Sequence, residues 1–188
     1  MLSFVHPFNE RPIKVAIFSL ISHSNECIPA QKMDGLTRIY ARNCEVRRVG
    51  KDIAGPFLEA NHQLGYTRCR FFYGLYVSRA GSEEFPTGML VAVAGFSNPR
   101  KWIKDGKEIR SSEWVRYASL KGLGIDGGMG KVLKAFIGEV HPDDIMSYAD
   151  ASWSNGDVYR KLGFVEESPK LFPDGTRNLK FRLNCSGR

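Results

Sequence analysis

The sequence predicts an α+β fold, one sheet with helices packed on its faces, and three observations lead there. With 188 residues, 43% of them hydrophobic and 12% aromatic, the chain carries apolar material for a single core. Two runs, RFFYGLYVSR at 70–79 and TGMLVAVAGFSN at 87–98, are rich in aromatic and β-branched residues, and the short polar link AGSEEFP makes them an antiparallel hairpin. Beyond residue 120 the apolar spacing becomes helical, so helices must share the core with the strands.

Residues 1–36 are expected to form an N-terminal extension whose role the sequence does not disclose. Within it Ile13 to Ile21 has the composition of a strand and HSNECIPAQ that of a loop. The readable domain spans 37–188. RIYARNCEVRRVG, 38–50, alternates as one strand with a polar face. Lys51 to Leu64 reads as a helix that Gly55-Pro56 should break or restart and that Gly65 stops. After the hairpin, NPRKWIKDGKEIRSS is expected as a basic loop, EWVRYASL at 113–120 as a strand, and KGLGIDGGMGK as a glycine-rich turn. That turn opens a helix, KVLKAFIGEV, with Val132, Leu133, Phe136 and Ile137 on one face. DIMSYAD at 144–150 is a strand, a short helix follows, and FVEE and LKFRL close the sheet. In the short helix Ser154 and Asp157 make a capping-box-like start, Arg160 and Lys161 suit the negative end, and Gly163 stops it.

No run of about 18 apolar residues occurs, which argues for a soluble protein. The first 26 residues place Glu10, Arg11 and Pro12 before a short apolar centre and lack a small-residue cleavage site, so no signal peptide is expected and the expected location is the cytoplasm. Cys27, Cys44, Cys69 and Cys185 stand far apart without paired Cys or His spacing, which indicates neither a zinc site nor a disulfide framework. A formal net charge of +7 favours phosphate-bearing partners by counterion release.

The segment SLKGLGIDGGMGKVL invites phosphate-binding readings, because backbone N–H groups at a helix start attract anions. A Walker A loop fails: five residues separate Gly124 from Gly130-Lys131, and Val132 stands where Ser or Thr is needed. Gly122-Leu-Gly124-Ile-Asp-Gly127 matches a dinucleotide fingerprint, but such a fold needs several βαβ repeats after it, and too little chain remains. A pyrophosphate cradle remains, with Gly127, Gly128 and Gly130 allowing close backbone approach and Lys131 adding charge. A strand-to-helix turn whose glycines merely supply positive φ explains the same residues.

A strand, the GGMGK turn, a helix, a strand and then Asn155-Gly-Asp-Val-Tyr-Arg-Lys-Leu-Gly-Phe resemble the GNAT acyltransferase superfamily. The resemblance runs from Arg38 to the end. It implies a mixed, mostly antiparallel twisted sheet with helices on both faces, acetyl-CoA or another acyl-CoA as cofactor, and Gly127, Gly128, Gly130, Lys131 and Asn155 around it. The family's turn usually begins with Gln or Arg where this chain has Ile125.

A narrower likeness covers FLEANHQLGY, GLYV, VAVAGF, WVRYASL, GGMGKVLKAFI and SYADASWSNGDVYRKLGF in that order. These resemble a phage-associated branch related to Mom-type DNA-modification proteins, which implies an adenine amine in DNA as acceptor. Carried over by position, it points to His62, Arg116, Asp150 and Tyr159 as catalytic residues. Acyl transfer needs an oxyanion stabiliser, a base and an acid. Backbone N–H groups at the end of EWVRYASL serve the first, His62 or Asp150 the second, and Tyr159 the third. Bland roles stand beside these: a half-buried tyrosine with one hydrogen bond, an aspartate capping a turn, a histidine at a helix end. Arg116 on a central strand needs a carboxylate, a phosphate or water, and Asp150 is the expected partner.

DNA contact would fall to Arg100, Lys101, Trp102 and Lys104, with Lys107 and Arg110 beside them and Arg42, Arg47 and Arg48 adding charge, the tryptophan stacking on a base. The expectation is thus an acyl-CoA-dependent N-acyltransferase. The alternatives are a non-catalytic module that binds DNA or a host protein, and an acetyltransferase of a small amine or protein.

Overall fold

The structure is a computed structural model that describes residues 37–79, 83–104, 106–152, 154–171 and 177–185. The expected strand at 13–21, Cys27 and the N-terminal extension as a whole lie outside the described residues, as does Trp153.

One sheet organises the chain, in the strand order β2-β3-β4-β6-β8-β10-β9. Its members are β2 (Cys44–Val49), β3 (Phe71–Val77), β4 (Leu90–Phe96), β6 (Lys107–Ser119), β8 (Asp144–Asp150), β9 (Val165–Leu171) and β10 (Arg177–Asn184). Every neighbouring pair is antiparallel except β6 with β8. The antiparallel meander and the helix-linked parallel step are both as the sequence predicts.

Three predicted segments differ. The strand expected over 38–50 is cut by a 3-10 turn at Ala41–Asn43 into β1 (Thr37–Tyr40) and β2. β1 leaves the main sheet and pairs in parallel with β7 (Leu123–Asp126), a short strand inside the segment read as a glycine-rich turn. The expected basic loop at 98–112 is a hairpin: β5 (Arg100–Lys104) pairs with the first half of β6, Trp102 opposite Ile109. Asp105-Gly106 is a hairpin-turn dipeptide, and Gly106 sits at φ 74°.

Helices cover both faces. α1 (Lys51–Asn61) runs unbroken through Pro56. Pro56 removes one intrahelical bond, but Ala54 and Leu58 are fully buried against Phe72, Val93 and Ala118, and that packing outweighs the lost bond. The helix ends at Asn61, three residues early, where the His62 N–H bonds the Leu58 carbonyl at 2.8 Å and Gly65 turns the chain at φ 59°. α2 (Gly128–Val140) lies on the opposite face, its Val132, Leu133 and Phe136 buried among Tyr73, Phe96 and Trp114, with Ile137 packed against them. Phe136 stacks on Phe96 with ring centroids 4.0 Å apart. α2 starts at Gly128, earlier than predicted, because Gly127 adopts φ 79° and turns β7 directly into the helix. α3 (Asp157–Lys161) brings Tyr159 and Leu162 onto the same core.

Candidate active site

The parallel pair β6 and β8 holds register only from Ser111 opposite Asp144 to Trp114 opposite Ser147, and then stops. On the other side of β6, Gly95 pairs with Arg116 and Phe96 with Trp114, which leaves Val115 as an extra residue in β6. A bulge of this kind bends its strand and increases its twist, and here it falls where β6 leaves β8. Between the parted strands lies a cavity of about 300 Å³. Its lining includes His62, Arg116, Tyr117, Tyr148, Asp150 and Tyr159, so the four predicted catalytic residues converge on one cleft. Met129 of α2 and Val158 of α3 line it as well, and the cleft therefore joins both faces of the sheet.

Tyr159 stands at the apex. Its ring stacks on Phe181, centroids 4.9 Å apart, and meets Trp114 and Phe164 edge-on. Its oxygen is 3.0 Å from the Ser147 hydroxyl, which is 2.9 Å from the Trp114 carbonyl. A carbonyl only accepts, so the single Ser147 hydrogen goes to Trp114 and the Tyr159 hydroxyl donates to Ser147. Burial holds the Tyr159 phenol above its ordinary pKa. The phenol stays protonated through the neutral range.

His62 departs from its expected role. Burial first, and then the Arg116 guanidinium, push its imidazole down to about 4. Its Nδ1 accepts the Leu64 N–H at 3.0 Å, so the neutral ring carries its proton on Nε2. The one lone pair is occupied, and His62 offers the cleft a donor rather than a base. Arg116 does not take Asp150 as expected: Nε donates to the Gly65 carbonyl at 3.3 Å and NH1 to the Val115 carbonyl at 3.0 Å. The loop after α1 supplies one of these acceptors, so it is tied to the bulged strand. Asp150 instead accepts from the Ser152 N–H and hydroxyl at 2.9 and 2.5 Å.

The expected coenzyme residues divide. α2 begins without a side-chain cap at Gly127, so the N–H groups of Gly128, Met129 and Gly130 are its unpaired amides. Pyrophosphate oxygens fit such an end. Packing also requires the glycines: a Cβ on Gly128 would lie 2.6 Å from the Tyr117 hydroxyl, and one on Gly130 would lie 3.2 Å from Leu162. Lys131 points elsewhere, its ammonium bonding the carbonyls of Ala41, at 2.8 Å, and Cys44. Asn155 serves α3, its amide bonding Asp157 at 2.6 Å and its side-chain oxygen accepting the Asp157 N–H. Gly156, in the left-handed region at φ 77°, is the N-cap, and the Ser154 hydroxyl accepts the Gly156 N–H rather than forming the predicted capping box.

The basic residues do not form one surface. Arg100, Lys101 and Trp102 lie on β5, where Lys101 pairs with Glu108 at 2.8 Å, and Lys104 ends that strand. Arg47 and Arg48 are on β2, three strands from β6, and Arg48 is held by Glu139 at 2.6 Å. The sequence reading missed Ser147, Tyr148, Tyr117 and the bulge at Val115. Ser147 and Tyr148 lie inside SYAD and Tyr117 inside WVRY, the motifs that supplied Asp150 and Arg116.

Among the described residues no group of three or more His, Cys, Asp or Glu is placed to hold a metal ion, and no helix is long and apolar enough to cross a membrane. No protein-family model matches the sequence, and no curated protein does. The architecture is that of the GNAT acyltransferase fold. It is similar to Arabidopsis thaliana NAA60, solved in complex with a bisubstrate analogue, with a TM-score of 0.52, 10% identity, and coverage of 75% of this chain and 98% of that one. FeeM, an N-acyl amino acid synthase from uncultured soil microbes, aligns at a TM-score of 0.49 and 12% identity over 77% of this chain and 91% of its own. A histone acetyltransferase HPA2 and related acetyltransferase from Corynebacterium glutamicum aligns at 0.43 and 17%, over 63% and 66%.

Proposed function

We propose that the chain is an acyl-CoA-dependent N-acyltransferase whose reaction takes place in the cleft between β6 and β8. The observation that carries this is the parting of the two strands at the Val115 bulge, with Tyr159 at its apex. The uncapped amides of Gly128, Met129 and Gly130 hold the coenzyme's pyrophosphate, without help from the Lys131 ammonium. An acyl-coenzyme A bound there supplies the activated acyl group. The amides of the bulged segment, released from pairing with β8, are the oxyanion donors. Tyr159 holds a proton at its phenol oxygen for the departing sulfur, and Ser147 and the Trp114 carbonyl keep that oxygen in place. His62 positions the acceptor through Nε2–H, and Asp150, at the cleft's other wall, receives the amine.

Calorimetry with acetyl-CoA tests the reading: a chain that binds none is a GNAT-like binding module and not an enzyme. With binding in place, Tyr159→Phe lowers turnover about a hundredfold or more, the scale of a lost general acid, and leaves the coenzyme Kd within about threefold. Wild-type turnover in that variant removes the acid role. The sequence likeness to Mom-type proteins, together with exposed Trp102 and the net charge of +7, extends the proposal to a nucleobase amine in DNA. Mass spectrometry of nucleosides from expressing cells reads this directly. Unmodified adenine beside active thioester turnover moves the acceptor to a small amine or protein.

A further inference from the structure

On the sheet face that α1 leaves uncovered lies a second cavity, of about 420 Å³. It is large enough for a small organic molecule. Side chains of one strand alternate between faces, and partners in adjacent strands share a face. Met146 and Tyr148 of β8, with their partners Arg182 and Lys180 of β10, therefore floor this cavity. The β5–β6 hairpin forms its wall with Trp102 and Ile109.

Three properties mark it as a built site. Trp102 is 56% exposed although its ring borders the cavity, and among the described residues no aromatic ring packs on it. Ser111 is 7% exposed and lines the same space, yet its hydroxyl has no hydrogen-bond partner among the described residues. The far side is fixed by charge: Arg182 spans Glu167 at 2.6 Å and Asp144 at 2.7 Å, and Lys180 holds Glu167 at 2.7 Å. A flat apolar face, a buried hydroxyl that lacks a partner and a neutral ionic wall together suit a planar ring with a polar edge.

Tyr148 lines both this cavity and the cleft. Along β8 the next residue on that face is Asp150, and two residues of strand span about 7 Å. A ring seated by Met146 and Tyr148 therefore carries its substituent to the Asp150 end of the cleft. We infer that this cavity holds the acceptor, a planar heteroaromatic amine of about nucleobase size, with its face on Trp102 and its polar edge on the Ser111 hydroxyl. The inference rests on the acyltransferase reading for its purpose, but not for its measurement.

Calorimetry without any coenzyme, using 2′-deoxyadenosine as probe and 2-deoxyribose as control, tests it. The nucleoside binds and the sugar does not. Trp102→Ala weakens nucleoside binding about tenfold, as a lost stacking partner does, Trp102→Phe keeps most of it, and Ser111→Ala weakens it severalfold. Acetyl-CoA binding, measured on the same proteins, stays within about twofold, and thermal unfolding confirms that each is folded. No nucleoside binding, equal binding of the sugar, or nucleoside binding unmoved by both Trp102→Ala and Ser111→Ala overturns the inference while leaving the acyltransferase reading intact. Nucleoside binding without acetyl-CoA binding overturns that reading instead.

Discussion

A histidine whose only lone pair already accepts a backbone N–H takes no proton from a substrate, and His62 is in that position with its pKa near 4. His62→Gln is expected to cost less than about tenfold in kcat/KM and to leave the acidic limb of the pH profile unmoved, whereas loss of a true base costs a hundredfold or more. The depressed pKa also affects stability. Between 4 and 6.5 the unfolded chain binds the proton that folded His62 excludes, so this contribution is full above 6.5 and declines as pH falls towards 4. Urea titrations at pH 7 and pH 4.5 should show a smaller loss of midpoint for His62→Gln than for the wild type. Tyr159 and Asp150 were legible in the sequence because capping and turn chemistry left them unexplained. Ser147 was not, since its value comes from the Trp114 carbonyl across the sheet and from burial, neither of which a run of letters displays.

Among the elements, the shortest helix depends most on one residue. Gly156 begins α3 at φ 77°, and a Cβ there would lie 2.1 Å from the Phe181 ring on which Tyr159 stacks. Gly156→Ala combines left-handed strain with overpacking, for a loss of about 3 kcal/mol by denaturant unfolding. Gly106→Ala, at φ 74° with open space around it, carries the strain alone and loses about 1 kcal/mol. The contrast checks the geometry: equal losses would mean that Phe181 does not close over Gly156. Asp105-Gly106 announced the β5–β6 hairpin, but its flanks are so charged that the alternation of Trp102 and Ile109 was hidden among lysines and arginines. Pro56 misled in the other direction, because local propensity foretold a break that the burial of Ala54 and Leu58 overrides.

At the scale of the whole molecule, one extra residue decides whether the sheet is closed or split. The meander, the helical crossover and the placing of helices on both faces follow from periodicity, and they were readable. The bulge was not, because it is a relation between β4 and β6 rather than a property of WVRY. Deleting Val115 makes that relation testable. The pairs Gly95 with Arg116 and Phe96 with Trp114 become consecutive, so the register on either side is kept and no side chain changes face. β6 then runs straight, continues to pair with β8 beyond Trp114, and closes the space in which Tyr159 and Arg116 meet. The deletion should retain the far-ultraviolet circular dichroism and cooperative unfolding of the wild type while losing acetyl-CoA binding by at least a hundredfold in calorimetry. A folded deletion variant that still binds the coenzyme at wild-type affinity would separate the cleft from the bulge and remove the main structural support for catalysis at this site.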